Sequence, residues 1–120
     1  MNSNKVSVII PSFNRYSYLL NAIDSIQNQT YDNYEIIVVN DGSTEDGYHS
    51  SELKRLSKVI HIDRNSTPDW GGSRPAVRNY GISEASGDFI AFLDDDDFWL
   101  PNKLSYIVLR ELWEKLLDKL

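Results

Sequence analysis

"KVSVIIPSFNRYSYLLNAIDSIQNQTYDNYEIIVVND", Lys5 to Asp41, decides the fold. Lys5–Pro11 is apolar and β-branched and stops at a proline, the pattern of a buried strand. Arg15–Gln29 then places Leu19, Leu20, Ile23 and Ile26 on one helical face. Tyr34–Asp41 is a second apolar run. Its residues do not alternate between apolar and polar, so both faces of the strand are covered. Strands of that kind belong to parallel sheets with helices packed on them.

Outward from this unit the alternation continues. In "DGSTEDG", Gly42 permits a positive φ, and Ser43 or Thr44 suits the cap of a short helix within residues 45–57. Ser57–Arg64 reads as a third strand and Asn65–Ser73 as a loop. Arg74–Ala85 suits a helix with Pro75 in its first turn. Gly87–Asp94 reads as a fourth strand. From Pro101 the pattern is helical, with Leu104, Ile107, Val108, Leu112, Leu116 and Leu117 on the apolar side. The predicted architecture is α/β: a doubly wound, mostly parallel sheet with helices on both faces.

The bulk numbers narrow the function classes. At 120 residues the chain suits one domain with a modest core. A formal net charge of -6 argues against a nonspecific nucleic-acid binder, which needs a basic face. With no cysteine and only His49 and His61, thiolate sites are excluded and a zinc site is disfavoured. No stretch approaches a membrane span, and "MNSNKVSVII" lacks the look of a signal peptide, so a cytoplasmic or cytosol-facing location is expected.

Ligands of open α/β sheets bind at the carboxyl ends of the strands. Three such ends are polar: "PSFNR" after the first strand, "NDGST" after the second, and Asp94–Asp97 after the fourth. Asp41 reads as a turn aspartate or as an acceptor for a ligand N–H. The four aspartates read as a solvated acidic loop, with Asp97 helping to cap the next helix, or as a cation site. In an extended segment Asp94 and Asp96 would face one side and Asp95 the other. Hard divalent ions take carboxylate oxygens, and Mg²⁺ is commonly held by one or two of them plus substrate phosphates. Gly71, Gly72, Arg74 and Arg78 read as a flexible loop with a basic helix face, or as a phosphate-facing helix start. Trp70, Trp99, Phe98 and Tyr16 are packing residues or stacking platforms for a sugar or base.

Taken in order, "VSVIIPSFNR", "QTYDNYEIIVVNDGSTED" and "GGSRPAVRNYGISEASGDFIAFLDDDDFWLPNKL" resemble the amino-terminal half of a family 2 glycosyltransferase. The resemblance covers nearly all of residues 5–104. It implies the GT-A, nucleotide-diphospho-sugar transferase type of fold, truncated, with residues 1–120 a single nucleotide-sugar-binding domain lacking the acceptor-binding half. It implies that Pro11, Ser12, Phe13 and Arg15 line a nucleotide pocket and that Asp41 contacts the base. Arg78 would lie near the diphosphate or the acidic motif. Asp94 and Asp96 match the D-x-D pair as metal ligands, Asp96 foremost, and Asp95 faces the ribose. The implied cofactor is Mn²⁺ or Mg²⁺. The implied partner is a nucleoside-diphosphate sugar, a UDP-sugar favoured, with no nucleic acid. The implied reaction is inverting transfer of the sugar to an acceptor hydroxyl, with a catalytic base expected beyond residue 120.

A non-catalytic nucleotide-binding or interaction domain is the alternative, and the leucines of the last helix suit docking on another copy. A phosphoacceptor signalling domain would need an acidic pair where this chain has "PSFN". A sugar nucleotidyltransferase would open with a glycine-rich basic loop, which is absent here.

Overall fold

The structure is a computed structural model that describes residues 4–63 and 74–120. Four strands form one sheet in the order β3-β2-β1-β4. β1 (Val6–Ser12) pairs in parallel with β2 (Tyr34–Asn40) on one side and β4 (Phe89–Phe92) on the other. β3 (Lys58–His61) adds to β2, also in parallel. The chain therefore steps from β1 to β3 in one direction, then returns across the sheet to place β4 on the far side of β1. The topological switch point lies between β1 and β4.

Helices cover both faces, as expected. Leu19, Ala22, Ile23 and Ile26 of α1 (Tyr16–Gln27) pack against Val6, Val8, Ile10, Ile36 and Val38. Leu53 of α2 (Ser51–Leu56) and Leu104 and Val108 of α4 (Lys103–Leu117) join the same core. The opposite face carries α3 (Arg74–Ser83), whose Val77 packs with Ile9, Ile37, Val39 and Ile62. Gly81 brings α3 onto the sheet: a Cβ there would sit 2.4 Å from Ile9 Cγ2. Phe89, Ala91 and Leu93 point into the first core, while Ile90 and Phe92 point to the second face and are exposed. Among the described residues no helix is long and apolar enough to cross a membrane.

Some details depart from the sequence reading. Leu112, Leu116 and Leu117 share the apolar side of α4 but are exposed, because the helix runs past the core after Val108. The cap falls on Ser50, whose Oγ accepts from Leu53 N–H at 3.2 Å. Ser43 and Thr44 are engaged elsewhere, with Asn14. Asp97 does not cap α4, whose N-cap is Asn102, without a side-chain cap bond. Trp70, Gly71, Gly72, Arg64 and the expected loop Asn65–Ser73 lie outside the described residues.

A polar cluster anchors the amino ends of the strands. Glu35 accepts from Ser7 Oγ at 2.5 Å and from Ser86 N–H at 2.7 Å, and Lys5 Nζ lies 3.6 Å away. Burial raises the Glu35 pKa, but the bonds from Ser7 and Ser86 and the Lys5 charge outweigh it, leaving the carboxyl below its ordinary value. A carboxylate depressed in the fold contributes stability above its unfolded pKa and loses it as pH falls through the folded value. The unfolding temperature should thus drop on acidification below about pH 4.5, and the drop should be shallower in Glu35→Gln. An unchanged slope would remove Glu35 from the acid response. Gly81→Ala should cost about 1–3 kcal/mol by overpacking α3 against Ile9, measured by urea denaturation.

Candidate donor site at the strand ends

β1 bonds β4 through alternate residues. The Lys5 carbonyl accepts from Phe89 N–H at 3.1 Å and the Ile9 carbonyl from Leu93 N–H at 3.0 Å. Pro11 is the next residue of that series, and it has no N–H to donate to Leu93. The ladder ends there. The following residues leave as a turn in which Asp97 N–H donates to the Asp94 carbonyl at 3.1 Å. The aspartates are therefore not an extended segment. The division between them stands all the same, with Asp95 buried and Asp94, Asp96 and Asp97 exposed.

Asp95 is held from beneath. Register explains its place: Phe92 lies opposite Ile9, so the third residue onward on each strand sets Asp95 beside Ser12. Ser12 Oγ donates to Asp95 Oδ2 at 2.9 Å, and Phe13 N–H approaches the same oxygen at 3.4 Å. Ser12 Oγ also bonds the hydroxyl of Tyr48 at 2.5 Å. Ser12, at 3% exposure, is buried below the site, since its position in the pleat turns it inward.

Arg15 sits over the turn. Its Nη1 donates to Asp96 Oδ2 at 2.9 Å and lies 3.6 Å from Asp95 Oδ1. Asp94 makes no side-chain hydrogen bond or ion pair among the described residues, so its carboxylate is open to a ligand. Arg78 of α3 reaches the same place. Its guanidinium lies over the Phe92 ring at 4.9 Å, and its buried Nε has no hydrogen-bond partner among the described residues. Pro11, Arg15, Arg78, Asp94, Asp95 and Asp96 thus line one cavity of about 210 Å³. Three carboxylates face two guanidinium groups there.

The end of β2 builds a neighbouring cavity of about 480 Å³, which Phe13, Asn40, Gly42, Ser43, His49 and His61 help to line. Asp41 is buried beside it, and its N–H donates to the Ser12 carbonyl at 2.9 Å. Asn14, at φ 49°, ties the two turns together, accepting from Thr44 N–H at 2.8 Å and from Glu45 N–H at 3.2 Å through Oδ1. His49 and His61 stack with centroids 4.5 Å apart, and Asn40 Nδ2 bonds His61 Nδ1 at 3.0 Å. Burial, with the nearby His49 and Lys54 charges, lowers the His61 pKa. Asn14, Tyr48 and the histidine pair escape a sequence reading. Their roles depend on partners distant in the chain, which no local pattern reveals. Among the aromatics, Tyr16 packs edge-on against Tyr48 and Trp99 packs on the core, whereas Phe98 is exposed.

The sequence profile of glycosyl transferase family 2 matches residues 7–114. The chain belongs to glycosyl transferase family 2. An uncharacterized glycosyltransferase of Rickettsia bellii is 46% identical over 100 residues, covering 83% of this chain and 14% of that protein. The crystal structure of S. aureus TarS in complex with UDP-GlcNAc matches with a TM-score of 0.72 at 29% identity, over 88% of this chain and 30% of that one. The mannosyltransferase PcManGT from Pyrobaculum calidifontis, in complex with GDP-Man and Mn2+, matches with a TM-score of 0.65 at 21% identity, over 83% and 30%. The likeness extends to fold: this family 2 chain is of the GT-A type. It spans well under two thirds of the length of each of these proteins.

Burial is the leading influence on Asp95 and raises its pKa. The Ser12 and Phe13 bonds and the Arg15 charge lower it without cancelling that effect, and Asp96 adds to the rise. For an acid raised in the fold, stability grows as pH falls through the folded value. Asp95→Asn keeps an acceptor for Ser12 and drops the charge, and its exposed Arg15 contact is worth little. The variant should unfold near pH 7 at an equal temperature or up to about 5 °C higher. A fall of several degrees by calorimetry would show that the charge holds the turn.

Proposed function

We propose that the strand-end site binds a nucleoside-diphosphate sugar, a UDP-sugar by preference. In the whole protein it would serve inverting transfer of that sugar to an acceptor hydroxyl. The observation that carries this reading is the meeting of Arg15, Arg78, Asp94, Asp95 and Asp96 in one cavity at the switch point of a family 2 chain. A UDP-GlcNAc complex of a protein 29% identical to this one supports the donor class.

Roles follow from the surroundings of each group. Arg15 and Arg78 offer guanidinium donors to diphosphate oxygens, which they suit by planar, paired N–H geometry. The Nε of Arg78, without a hydrogen-bond partner among the described residues, fits that demand. Asp95, fixed by Ser12, presents its remaining acceptor capacity to the ribose. Phe13 and Asp41 sit on the side of the larger cavity, where Asp41 would accept from a base N–H. Pro11, which cannot donate the next ladder bond, would leave the strand ends free to line the diphosphate's side of the cavity.

The carboxylates also fit a divalent ion. Asp94 is uncommitted among the described residues, and Asp96 is exposed and paired only with the half-exposed guanidinium of Arg15 among those residues. One or two such ligands suffice where phosphates complete the shell. Asp94 and Asp96 would hold Mn²⁺ or Mg²⁺, which would offset negative charge developing on the departing diphosphate. We place this donor chemistry in the cytoplasm or at a cytosol-facing surface, in keeping with the expectation from the sequence. A general base is not assigned to any described residue.

Calorimetric titration of UDP, with and without Mn²⁺, tests this. Mn²⁺ should tighten UDP binding, and Asp94→Ala and Asp96→Ala should each weaken the Mn²⁺-dependent binding about tenfold or more, some 1.4 kcal/mol. Binding that is indifferent to Mn²⁺ and to both substitutions would take the aspartates out of the donor site.

A further inference from the structure

We propose that Tyr48, which touches neither cavity, is a positioning residue that orders the donor site through a one-way chain of hydrogen bonds ending on Asp95. The inference rests on the donor-site reading for its functional meaning. Its geometry stands by itself. Arg15 N–H donates to the Tyr48 hydroxyl at 3.0 Å, that hydroxyl bonds Ser12 Oγ at 2.5 Å, and Ser12 Oγ donates to Asp95 Oδ2 at 2.9 Å.

Proton counting fixes the direction. A serine hydroxyl has one proton, and an ionised carboxylate only accepts. With Ser12 giving its proton to Asp95, the Ser12–Tyr48 bond must use the proton of Tyr48. Tyr48 in turn receives the N–H of Arg15. Every donor then points toward Asp95, and bonds aligned in this way polarise and strengthen one another in a buried setting. The setting is buried: Tyr48 is 0%, Ser12 3% and Asp95 8% exposed.

The chain closes on itself. Arg15 is held by Tyr48 at its backbone, while its guanidinium lies against Asp95 and Asp96. One hydroxyl therefore fixes both the carboxylate and the cation opposite it. The Tyr48 ring is itself fixed edge-on by Tyr16 at 5.5 Å. Tyr16 lies so close over Gly47 that a Cβ there would meet its ring at 2.3 Å. A phenylalanine would fill the same space, so the packing does not call for the hydroxyl. Its two partners, Ser12 and Arg15, both serve the site.

The test compares Tyr48→Phe, Ser12→Ala and the double variant of the 120-residue chain. In the first arm, UDP is titrated in the presence of Mn²⁺. Each single variant should bind about tenfold more weakly, and the double variant should be no more than about threefold weaker than either, because both substitutions break one chain. Additive losses of about a hundredfold, or unchanged binding in Tyr48→Phe, would overturn the proposal. The second arm needs no ligand. Amide exchange at Phe13, whose N–H points at Asp95, should quicken about tenfold in both single variants while Ile37 and Val38 keep their wild-type rates. Unaltered Phe13 exchange, or a uniform rise that includes β2, would make Tyr48 a packing residue alone and sink the proposal. If the wild-type chain fails to bind UDP while Phe13 exchange responds as stated, the donor-site reading falls and the ordered chain of bonds stands.

Discussion

The missing N–H of Pro11 is the constraint on which the site depends. β1 is one of the two inner strands of the sheet, bonded on both sides, and its two sets of backbone groups alternate between β2 and β4. Toward β2 the ladder continues to the end, where Ser12 accepts from Asp41 N–H. Toward β4 it stops, because a proline occupies the next bonding position. Proline inside a sheet normally costs a ladder bond for no return. Here the lost bond lets one neighbour part from β1 while the other stays attached. The gap opens at the switch point, where open α/β sheets place their ligands.

A chain released from a ladder needs other anchors if its carboxylates are to keep fixed positions. α1 supplies them. Trp99 N–H donates to Ser25 Oγ at 3.1 Å, and Thr30 N–H donates to the Pro101 carbonyl at 2.9 Å. Gln29 does more: its Nε2 donates to the Leu100 carbonyl at 2.7 Å and its Oε1 accepts from Leu104 N–H at 2.9 Å. The buried amide thus bonds on both sides of the loop that leads into α4. The aspartate turn is held at one end by Leu93 against Ile9 and at the other by the tail of α1. Only its exposed side chains are left to respond to a ligand.

The parts of the molecule legible in the sequence are those governed by local pattern. The apolar runs at Val6–Ile10 and Ile36–Val39 mark strands buried on both faces, and the spacing of Leu19, Ile23 and Ile26 marks the helix between them. The aspartate run and Arg78 stand out by residue type. Position within the site is different, because it depends on pairs far apart in the chain. Ser12 reads as a pocket residue by its place after a strand, yet the pleat turns it under Asp95. Thr44 reads as a helix cap, but its N–H belongs to Asn14, and the cap passes to Ser50. Tyr48 looks like one polar-segment aromatic among several, and only the fold brings its hydroxyl to Ser12, 36 positions away. The leucines of α4 carry a helical period, but a period cannot say how far the core extends beside it.

These long-range bonds also explain how the site tolerates its own electrostatics. Four adjacent aspartates repel, and burial of one of them adds a desolvation cost. The turn spreads the charge by sending Asp94, Asp96 and Asp97 to solvent and drawing only Asp95 inward. Asp95 then meets a hydroxyl and a backbone N–H, with a cation set 3.6 Å away. Those contacts fall short of the desolvation cost, so its pKa stays raised. The fold thus keeps a carboxylate where it is costly to ionise and leaves Asp94 without a partner among the described residues. A structure selected for stability alone would have used neither. Such residual cost, concentrated at the point where two strands part, is the pattern expected of a site whose balance is completed by a ligand.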